Sequence, residues 1–265
     1  MFFGEHLHLL VTVTALTVSI AFSLVLYAYL KRKINTSAFI GTFTLGVIIL
    51  LTFGLEFGYA GVLVLLAFFL FGNLVTKYKY DRKAKLGVAE GNKGMRGMNN
   101  VLGNGLSPLI FAVLYALSRD NVLLLGFSGA IATACSDTFS TEIGQAEGNP
   151  RLITTLKKVP VGTNGGVSLP GLGAALLGSG LIALVSLAFI NPYLCSGAQP
   201  NLKAIFFLVC LLAGFFGCLI DSLLGATLED KHFYKFRLNK HGVNIIATLF
   251  GGIFAILLGY FGGLQ

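Results

Sequence analysis

Charged residues are scarce in this 265-residue chain: Asp, Glu, Lys and Arg make up 11% of it, and tryptophan is absent. An ordinary soluble domain carries about 25% charged residues, so the composition excludes that class of protein. The four cysteines show no CxxC spacing, which gives no support to a disulfide framework or a zinc site. What the chain does contain, 55% hydrophobic residues and 34 glycines, indicates a membrane protein with closely packed helices.

Apolar runs of roughly 18–23 residues recur along the chain, and each is long enough to cross a bilayer as a helix. We therefore predict an all-α fold, a polytopic integral membrane helical bundle of about eight spans that forms one transmembrane domain over residues 1–265. Within it, residues 1–35 would be a peripheral first span and residues 37–262 the catalytic bundle. The predicted spans are 9–30, 37–53, 59–76, 101–118, 121–143, 169–190, 203–228 and 243–261.

Positive charges are unevenly distributed between the two sets of connections. Those at 31–36, 77–100, 144–168 and 229–242 hold 3, 7, 3 and 4 Lys or Arg residues, 17 of the 19 in the chain. Connections rich in Lys and Arg face the cytoplasm, so we predict that these long polar loops are cytoplasmic. Membrane topology also explains the net charge of +8, and no nucleic-acid partner is expected.

Three acidic residues fall inside two of the predicted spans. Asp137 and Glu142 lie in the span at 121–143, and Asp221 lies in the span at 203–228. An ionisable group inside a membrane helix costs several kcal/mol unless it is paired, metal-bound or facing water, which indicates function. Both aspartates would lie on the order of 10 Å below the cytoplasmic surface, where they would repel each other unless a cation lay between them. Oxygen ligands suit Mg²⁺, so we predict a Mg²⁺ site between Asp137 and Asp221, with Glu142 close to its mouth.

A glycine- and hydroxyl-rich run, GTNGGVS, precedes the predicted span at 169–190. Backbone N–H groups at such a helix start attract anions, and glycine lets a phosphate approach the backbone closely. The run is not a Walker A loop, because no Lys-Ser/Thr pair follows the glycines, and an ordinary turn without a ligand is the alternative interpretation. The residues predicted to bind phosphate here are Lys157, Lys158, Gly162, Thr163, Asn164, Gly165, Gly166 and Ser168.

Further polar residues lie just before and within the start of the span at 101–118. Asn100 and Asn104 are one helical turn apart and would face the same pocket as Asp137, and Arg96 precedes them. We predict that they contribute to phosphate binding. The alternative is that Lys and Arg in these loops only set the topology and contact lipid headgroups, while Ser and Thr in the spans only pack helices.

Several blocks of the sequence resemble one integral-membrane family, which includes the phytyl-phosphate kinase of plants and cyanobacteria. They extend over about residues 37–262 in the expected order. The blocks are GVAEG (87–91), NVLGNG (100–105), SDTFSTEIG (136–144), RLITT (151–155), GTNGGVSLPG (162–171), DSLLGATLE (221–229) and VNIIATLFG (243–251).

The resemblance implies a Mg²⁺-dependent kinase that transfers a phosphoryl group from a nucleoside triphosphate to a membrane-embedded isoprenoid monophosphate. CTP is the favoured donor, and the product would be a diphosphate for tocopherol and prenylquinone synthesis. The resemblance also implies a multi-pass protein of a bacterial inner, thylakoid or chloroplast-type membrane, with its active site facing the cytoplasm or stroma. A homodimer is compatible with the sequence.

The resemblance carries roles over to individual residues. The donor phosphates would lie on residues 162–166, with Asn100 and Asn104 nearby. Phe139 stands where the family often has tryptophan, a mild change that leaves the site intact. The catalytic residues would be Asp137, Asp221, Arg96 and Lys157, and the metal ligands Asp137, Glu142 and Asp221.

Two other classes of function fit the same residues. A secondary transporter of a small anion or a lipid phosphate would also use acids inside the membrane and helices broken by glycine. Such a protein should place its acids near the midplane and show an inverted repeat, whereas these acids are predicted near one face. A related lipid cytidylyltransferase or phosphotransferase would use the same metal site.

Overall fold

The computed structural model describes residues 2–190, 201–230, 232–233 and 236–264, which are mostly helical. Seven of the described helices are long and apolar enough to cross a membrane, which confirms the predicted all-α membrane fold. The helices are α1 (Phe2–Leu30), α2 (Thr36–Thr76), α3 (Tyr80–Lys85), α4 (Gly91–Gly94), α5 (Met98–Ser118), α6 (Val122–Glu147), α7 (Leu169–Ser186), α8 (Leu202–Thr227) and α9 (Lys240–Phe261). The loops contain two antiparallel hairpins, β1 (Arg151–Leu152) with β2 (Gly166–Val167) and β3 (His232–Phe233) with β4 (Phe236–Arg237).

The longest helix, α2, is a hairpin of two arms. Gly54 has φ 64° and ψ −164°, a backbone conformation that interrupts the helix and that glycine adopts without a Cβ penalty. A Cβ on Gly61 would lie 2.6 Å from Phe53 and 2.7 Å from Ile49, although a straight helix would separate residues 49 and 61 by about 18 Å. The chain therefore reverses at Gly54. Each arm corresponds to one predicted span, so the seven long helices provide eight crossings.

The central helix of the bundle is α6, which packs against α2, α5, α7, α8 and α9. Of its most apolar 18 residues 78% are buried, against 11% in α1. Because neighbouring helices surround α6, its polar side chains face protein instead of lipid. This position makes it possible for the run SDTFSTEIG to lie within a membrane bundle.

Small residues allow α6, α8 and α9 to approach one another closely. Thr133 of α6 lies against Gly217 of α8 and Gly251 of α9, where an added Cβ would overlap the threonine side chain. The Thr133 hydroxyl donates to the carbonyl oxygen of Gly129 at 2.9 Å, so this buried polar group is satisfied within its own helix. Close helix packing is the role that the high glycine content predicts.

The polar connections lie together at one end of the bundle. We call this the loop end, and its described residues are 31–35, 77–97, 148–168, 228–230, 232–233 and 236–239. The backbone N–H of Asn35 donates to the carbonyl of Arg96 at 3.1 Å, which joins the first connection to the second. The Lys240 ammonium lies 3.9 Å from Glu90, and this pair joins the start of α9 to the second connection. The β1–β2 hairpin packs on α8. Which membrane face this end occupies stays a prediction.

Two of the predicted spans end differently in the structure. The turn predicted at 54–58 is reduced to one non-helical residue, Gly54. Helix α6 continues to Glu147 instead of ending at 143, so its last turn extends beyond the apolar run and carries half-exposed polar residues. The span predicted at 101–118 agrees with α5, which runs unbroken through the buried Pro108.

The first helix packs on the α2 hairpin through a small core of its own. Val25, Ile34 and Ala38 are buried there, with Tyr29 and Phe39 packed against them. The larger core is built from the other long helices. The division into a peripheral span at 1–35 and a catalytic bundle at 37–262 stays a prediction.

We expect Gly251→Ala to lower the free energy of unfolding by about 1–3 kcal/mol, because the new methyl group would overlap Thr133. The matched control is Gly173→Ala in α7, where an added Cβ meets no atom within 4 Å and alanine favours the helix. Thermal unfolding of the detergent-solubilised variants measures both effects. Equal melting temperatures for the two variants would contradict the close packing of α6 and α9.

Candidate active site

Two of the polar chambers at the loop end adjoin each other and share Asp137. The first chamber has a volume of about 230 Å³, and Asp137 of α6 and Asp221 of α8 both line it. Ser140 and Ser222 add hydroxyl groups to its wall. The structure therefore brings together the acidic residues and the glycine-rich run that the sequence singles out. That run contributes Gly162, Thr163, Asn164, Gly165, Gly166 and Ser168.

The carboxyl groups of Asp137 and Asp221 are neighbours in the first chamber. Each carboxyl group lies near enough to act on the other, and the Thr141 hydroxyl lies beside Asp137. Within the described residues, no group of three or more His, Cys, Asp or Glu side chains is arranged to hold a metal ion. Mg²⁺ in phosphoryl-transfer sites is bound by one or two carboxylates, with water and phosphate as its other ligands. The two aspartates therefore fit Mg²⁺.

The glycine-rich run is held against α8 by a close backbone approach. Gly165 has φ 73°, and a Cβ there would lie 2.6 Å from the carbonyl oxygen of Ser222. Within the run, the Gly166 N–H donates to the Thr163 carbonyl at 3.0 Å. The N–H groups of Asn164 and Gly165 have no acceptor among the residues described. Free N–H groups beside a pair of carboxylates suit a phosphate group whose charge is balanced by a cation.

Ser168 begins α7 as its N-cap residue. Its side-chain oxygen accepts a hydrogen bond from the Gly171 N–H at 3.2 Å, which satisfies one of the free donors of the first helical turn. The cap accounts for this residue without any ligand. Its contact with a phosphate therefore stays a prediction.

The second chamber, of about 170 Å³, adjoins the first. Asp137, Thr141, Lys240 and Asn244 line both chambers. The Asn244 amide donates to the side-chain oxygen of Asn104 at 3.4 Å, which links α9 to α5. As the helical spacing predicts, Asn100 and Asn104 lie in one chamber with Asp137. The rest of the wall is formed by Glu90, Arg96, Asn100, Asn104, Thr138, Glu142 and His241.

Glu142 lies in the second chamber, where it forms a buried ion pair with Lys83 of α3. The Lys83 side chain is fully buried, and its ammonium also donates to the carbonyl of Thr76 at 3.0 Å. This pair gives Glu142 a structural role, since it joins the loop after α2 to the central helix. The predicted metal-binding role of Glu142 stays a prediction, because the structure does not group it with both aspartates.

Arg96 lies at the edge of the second chamber in the loop before α5. Its guanidinium donates to the Thr76 hydroxyl at 3.4 Å and lies 6.0 Å from the centre of the Phe68 ring. Burial lowers the pKa of the Arg96 guanidinium, while the charges of Glu90 and Glu142 raise it. The guanidinium thus faces the chamber that holds Asp137, as its predicted role requires.

Lys157 and Lys158 lie outside both chambers, at the exposed turn between β1 and β2. The carbonyl of Lys157 accepts from the Leu152 N–H at 2.9 Å, and Lys158 forms a backbone bridge with Arg151. These bonds hold the turn itself. The structure does not bring the two lysines to the acids, and their roles in catalysis and phosphate binding stay predictions.

Three charged residues of the chambers, Glu90, Glu229 and Lys240, were not among the residues predicted for the site. Lys240 lines both chambers, and its charge lies close enough to act on Asp137. Glu229 lines the first chamber, and burial and the charge of Asp230 raise its pKa. A signal for Lys240 does exist, since Asn239 caps the start of α9 and places the next residue at a helix start. The positive-inside pattern already accounted for that lysine, so its position gave no further indication of function.

Comparison with known proteins identifies the family. The family model described as Integral membrane protein DUF92 matches residues 19–252. The chain belongs to this family. This match confirms the resemblance drawn from the sequence blocks. It begins within α1 and so includes residues 19–30, which those blocks leave out. No solved structure matches the chain.

Similar proteins occur in archaea, plants and cyanobacteria. An uncharacterised membrane protein of Methanocaldococcus jannaschii is 36% identical over 250 residues, which cover 93% of this chain and 95% of that protein. Protein VTE6, chloroplastic, of Arabidopsis thaliana is 37% identical over 77% of this chain, and the matched part is 60% of the plant protein's length. An uncharacterised membrane protein of Synechocystis is 34% identical, with 89% of this chain and 87% of that protein covered.

We expect Lys83→Met to destabilise the protein by about 3–5 kcal/mol, because it leaves the Glu142 carboxylate buried without a partner. Adding Glu142→Gln to the same chain should recover much of the loss. The matched control is Lys79→Met, which removes the neighbouring exposed pair with Glu147 and should hardly change the melting temperature. Thermal unfolding in detergent measures all three variants. The structural role would be wrong if Lys83→Met and Lys79→Met melted at the same temperature.

Proposed function

We propose that this protein is a kinase of isoprenoid monophosphates, of the phytyl-phosphate kinase type, with CTP as its donor. It would transfer the terminal phosphoryl group of the nucleotide to the phosphate of a membrane-embedded lipid. The observation that carries the proposal is the position of the Asp137–Asp221 pair opposite the glycine-rich run within one chamber. Paired carboxylates and free backbone N–H groups are the two components that bind a metal-complexed polyphosphate.

The first chamber is the proposed donor site. The N–H groups of Asn164 and Gly165 would donate to the donor phosphates, and Lys240 would balance their charge from the opposite wall. Asp137 and Asp221 would hold Mg²⁺, which would supply positive charge to neutralise the donor phosphates. The base of the nucleotide would extend toward the open loop end.

The second chamber is the proposed position of the acceptor phosphate. An oxygen of that phosphate would attack the terminal phosphorus of the donor, and the bond from this phosphorus to the bridging oxygen would break, with its electron pair leaving on the nucleoside diphosphate. The attacking oxygen is already anionic, so no strong general base is needed. Arg96 and Lys240 would orient the two phosphates and stabilise the charge that develops.

Family membership supports the reaction class. The chain and Protein VTE6, chloroplastic, are similar over most of this chain. We propose a role in the tocopherol and prenylquinone pathway on the strength of that similarity and of the kinase activity that the family resemblance implies. The basic connections gathered at the loop end support a site on the cytoplasmic or stromal face, because the positive-inside rule places such loops there.

The two alternatives from the sequence have less support in this geometry. A transporter should hold its acids near the middle of the bundle, whereas Asp137 and Asp221 lie in a chamber walled by the connections of the loop end. A lipid cytidylyltransferase would use the same acid pair, but it would release pyrophosphate and not a nucleoside diphosphate. The products of the reaction therefore distinguish it from a kinase.

We expect the purified protein with Mg²⁺ to convert phytyl or geranylgeranyl monophosphate to the diphosphate, with CTP giving the highest rate of the four nucleoside triphosphates. Chromatography of radiolabelled products measures the lipid diphosphate and the nucleotide product together. No lipid diphosphate with any of the four donors would contradict the proposal, and release of pyrophosphate would favour the cytidylyltransferase.

We expect Asp137→Asn and Asp221→Asn each to lower the turnover rate about 10³-fold or more, because metal coordination of the phosphates contributes several kcal/mol. Both variants should insert and melt as the wild-type protein does, since asparagine preserves the volume of the side chain. The control is Asp120→Asn, at an exposed turn outside both chambers. Wild-type turnover in either active-site variant would disprove the metal assignment.

A further inference from the structure

An apolar groove runs along the outside of the bundle and ends at the second chamber. It lies between α1, the two arms of α2, and α5, and has a volume of about 140 Å³. Its lining is polar at one end only, where Arg96, Asn100 and Asn104 line both the groove and the second chamber. Phe22 of α1 and Phe43 of α2 lie on its outer side and are 43% and 49% exposed, so the groove is open toward the surrounding lipid.

We infer that this groove holds the tail of the acceptor, a single-chain lipid monophosphate, and that Arg96 anchors its phosphate at the inner end. The inference rests on the proposed function for the identity of the acceptor. It adds a location for the tail and a role for the first helix. It also assigns Asn100 and Asn104 to the acceptor, although the sequence associates them with the nucleotide.

The burial of Arg96 and its lack of a carboxylate partner among the described residues indicate an anionic ligand. Its guanidinium lies against the backbone of α2 at Gly72, where an added Cβ would be 3.0 Å from Nη2. Within the part of the chain that the structure describes, Arg96 forms no ion pair, and its one side-chain hydrogen bond goes to the Thr76 hydroxyl. A largely buried guanidinium without a carboxylate partner is costly, and a phosphate offers it two acceptor oxygens at once.

The groove extends from this anchor along the first arm of α2. Its lining runs from Thr42 to Leu50, a distance of about 12 Å along the helix. Helix α1 forms the wall of the groove that faces this arm, through Phe22 and Val25. Both residues lie within the region that the family model matches. A tail in the groove leaves the phosphate in the second chamber, which shares Asp137 with the first. Tail, acceptor phosphate and donor can therefore be bound at the same time.

Gly46 provides a direct test. It lines the groove, and a Cβ at this position meets no atom within 4 Å, so a larger side chain would enter the groove without disturbing the helices. Gly46→Leu is compared with Gly173→Leu, which adds the same side chain to α7 at a glycine that also has no atom within 4 Å of a Cβ and lies outside the groove. Melting temperatures of both variants show that each is folded.

Two acceptors with tails of different length distinguish binding of the tail from binding of the phosphate. We expect Gly46→Leu to raise the KM for geranylgeranyl monophosphate about tenfold or more, because the leucine displaces methylene groups of the tail from apolar surface. The KM for the five-carbon dimethylallyl monophosphate should stay within about twofold of wild type, since its tail is too short to extend far along the groove. Arg96→Gln should weaken both acceptors alike. An equal rise for both acceptors in Gly46→Leu would overturn the placement of the tail.

A binding experiment keeps this inference separate from the proposed function. A photoreactive farnesyl monophosphate is cross-linked to the purified wild-type protein, and the labelled peptides are mapped by mass spectrometry. We expect labels within residues 18–25 and 42–50, competed by geranylgeranyl monophosphate but not by geranylgeraniol, and lost in Gly46→Leu but not in Gly173→Leu. Such labels without any phosphoryl transfer would support the groove and refute the kinase. Labels elsewhere, or equal competition by the alcohol, would overturn the groove even where transfer is measured.

Discussion

The constraint that shapes the structure is the need to hold two acids, Asp137 and Asp221, inside a helical bundle at the contact between α6 and α8. Two acids inside a bundle are tolerated only where protein and a polar chamber replace lipid around them, which is why α6 is the central helix and the chamber opens at the loop end. Thr133, one helical turn deeper than Asp137, locks against Gly217 and Gly251. Helix packing at that level therefore determines the separation of the two carboxylates.

Hydropathy and charge could predict most of the fold, because lipid imposes simple rules on a spanning chain. Apolar runs must be helical, so the spans follow from the sequence within a few residues, and the clustering of basic connections follows from the same topology. The energetic cost of an acid in a span singles out Asp137 and Asp221 from the sequence alone. The end of α6 does not follow from hydropathy, because the helix continues through half-exposed polar residues to Glu147, which pairs with Lys79. Hydropathy locates the apolar part of a span but not the helical turns that extend beyond it.

Pairing between distant residues could not be predicted in this way. In the sequence, Lys83 is one of seven Lys or Arg residues in the connection at 77–100. Only the folded chain shows that it is buried against Glu142. The same limit applies to Lys157 and Lys240. Both lie in basic connections. Lys157 lies exposed on the β1–β2 turn, outside the first chamber, whereas Lys240 at the start of α9 lines that chamber together with the two aspartates. Charge patterns determine which end of the bundle a lysine occupies, but not which way its side chain points.

The proposed reaction between a water-soluble nucleotide and a lipid would require a site open to both water and lipid. Different helices form the two walls that such a site would need. The glycine-rich run and α8 form the wall that faces the aqueous loops, whereas α1 and α2 form the wall that faces lipid. Asp137 belongs to the chambers on both sides of this division. The loop that carries Arg96 bonds through its backbone to Asn35 between α1 and α2, so the guanidinium at the mouth of the groove is fixed by the same helices that form it. On the proposed arrangement, the first span would contribute one wall of the acceptor site.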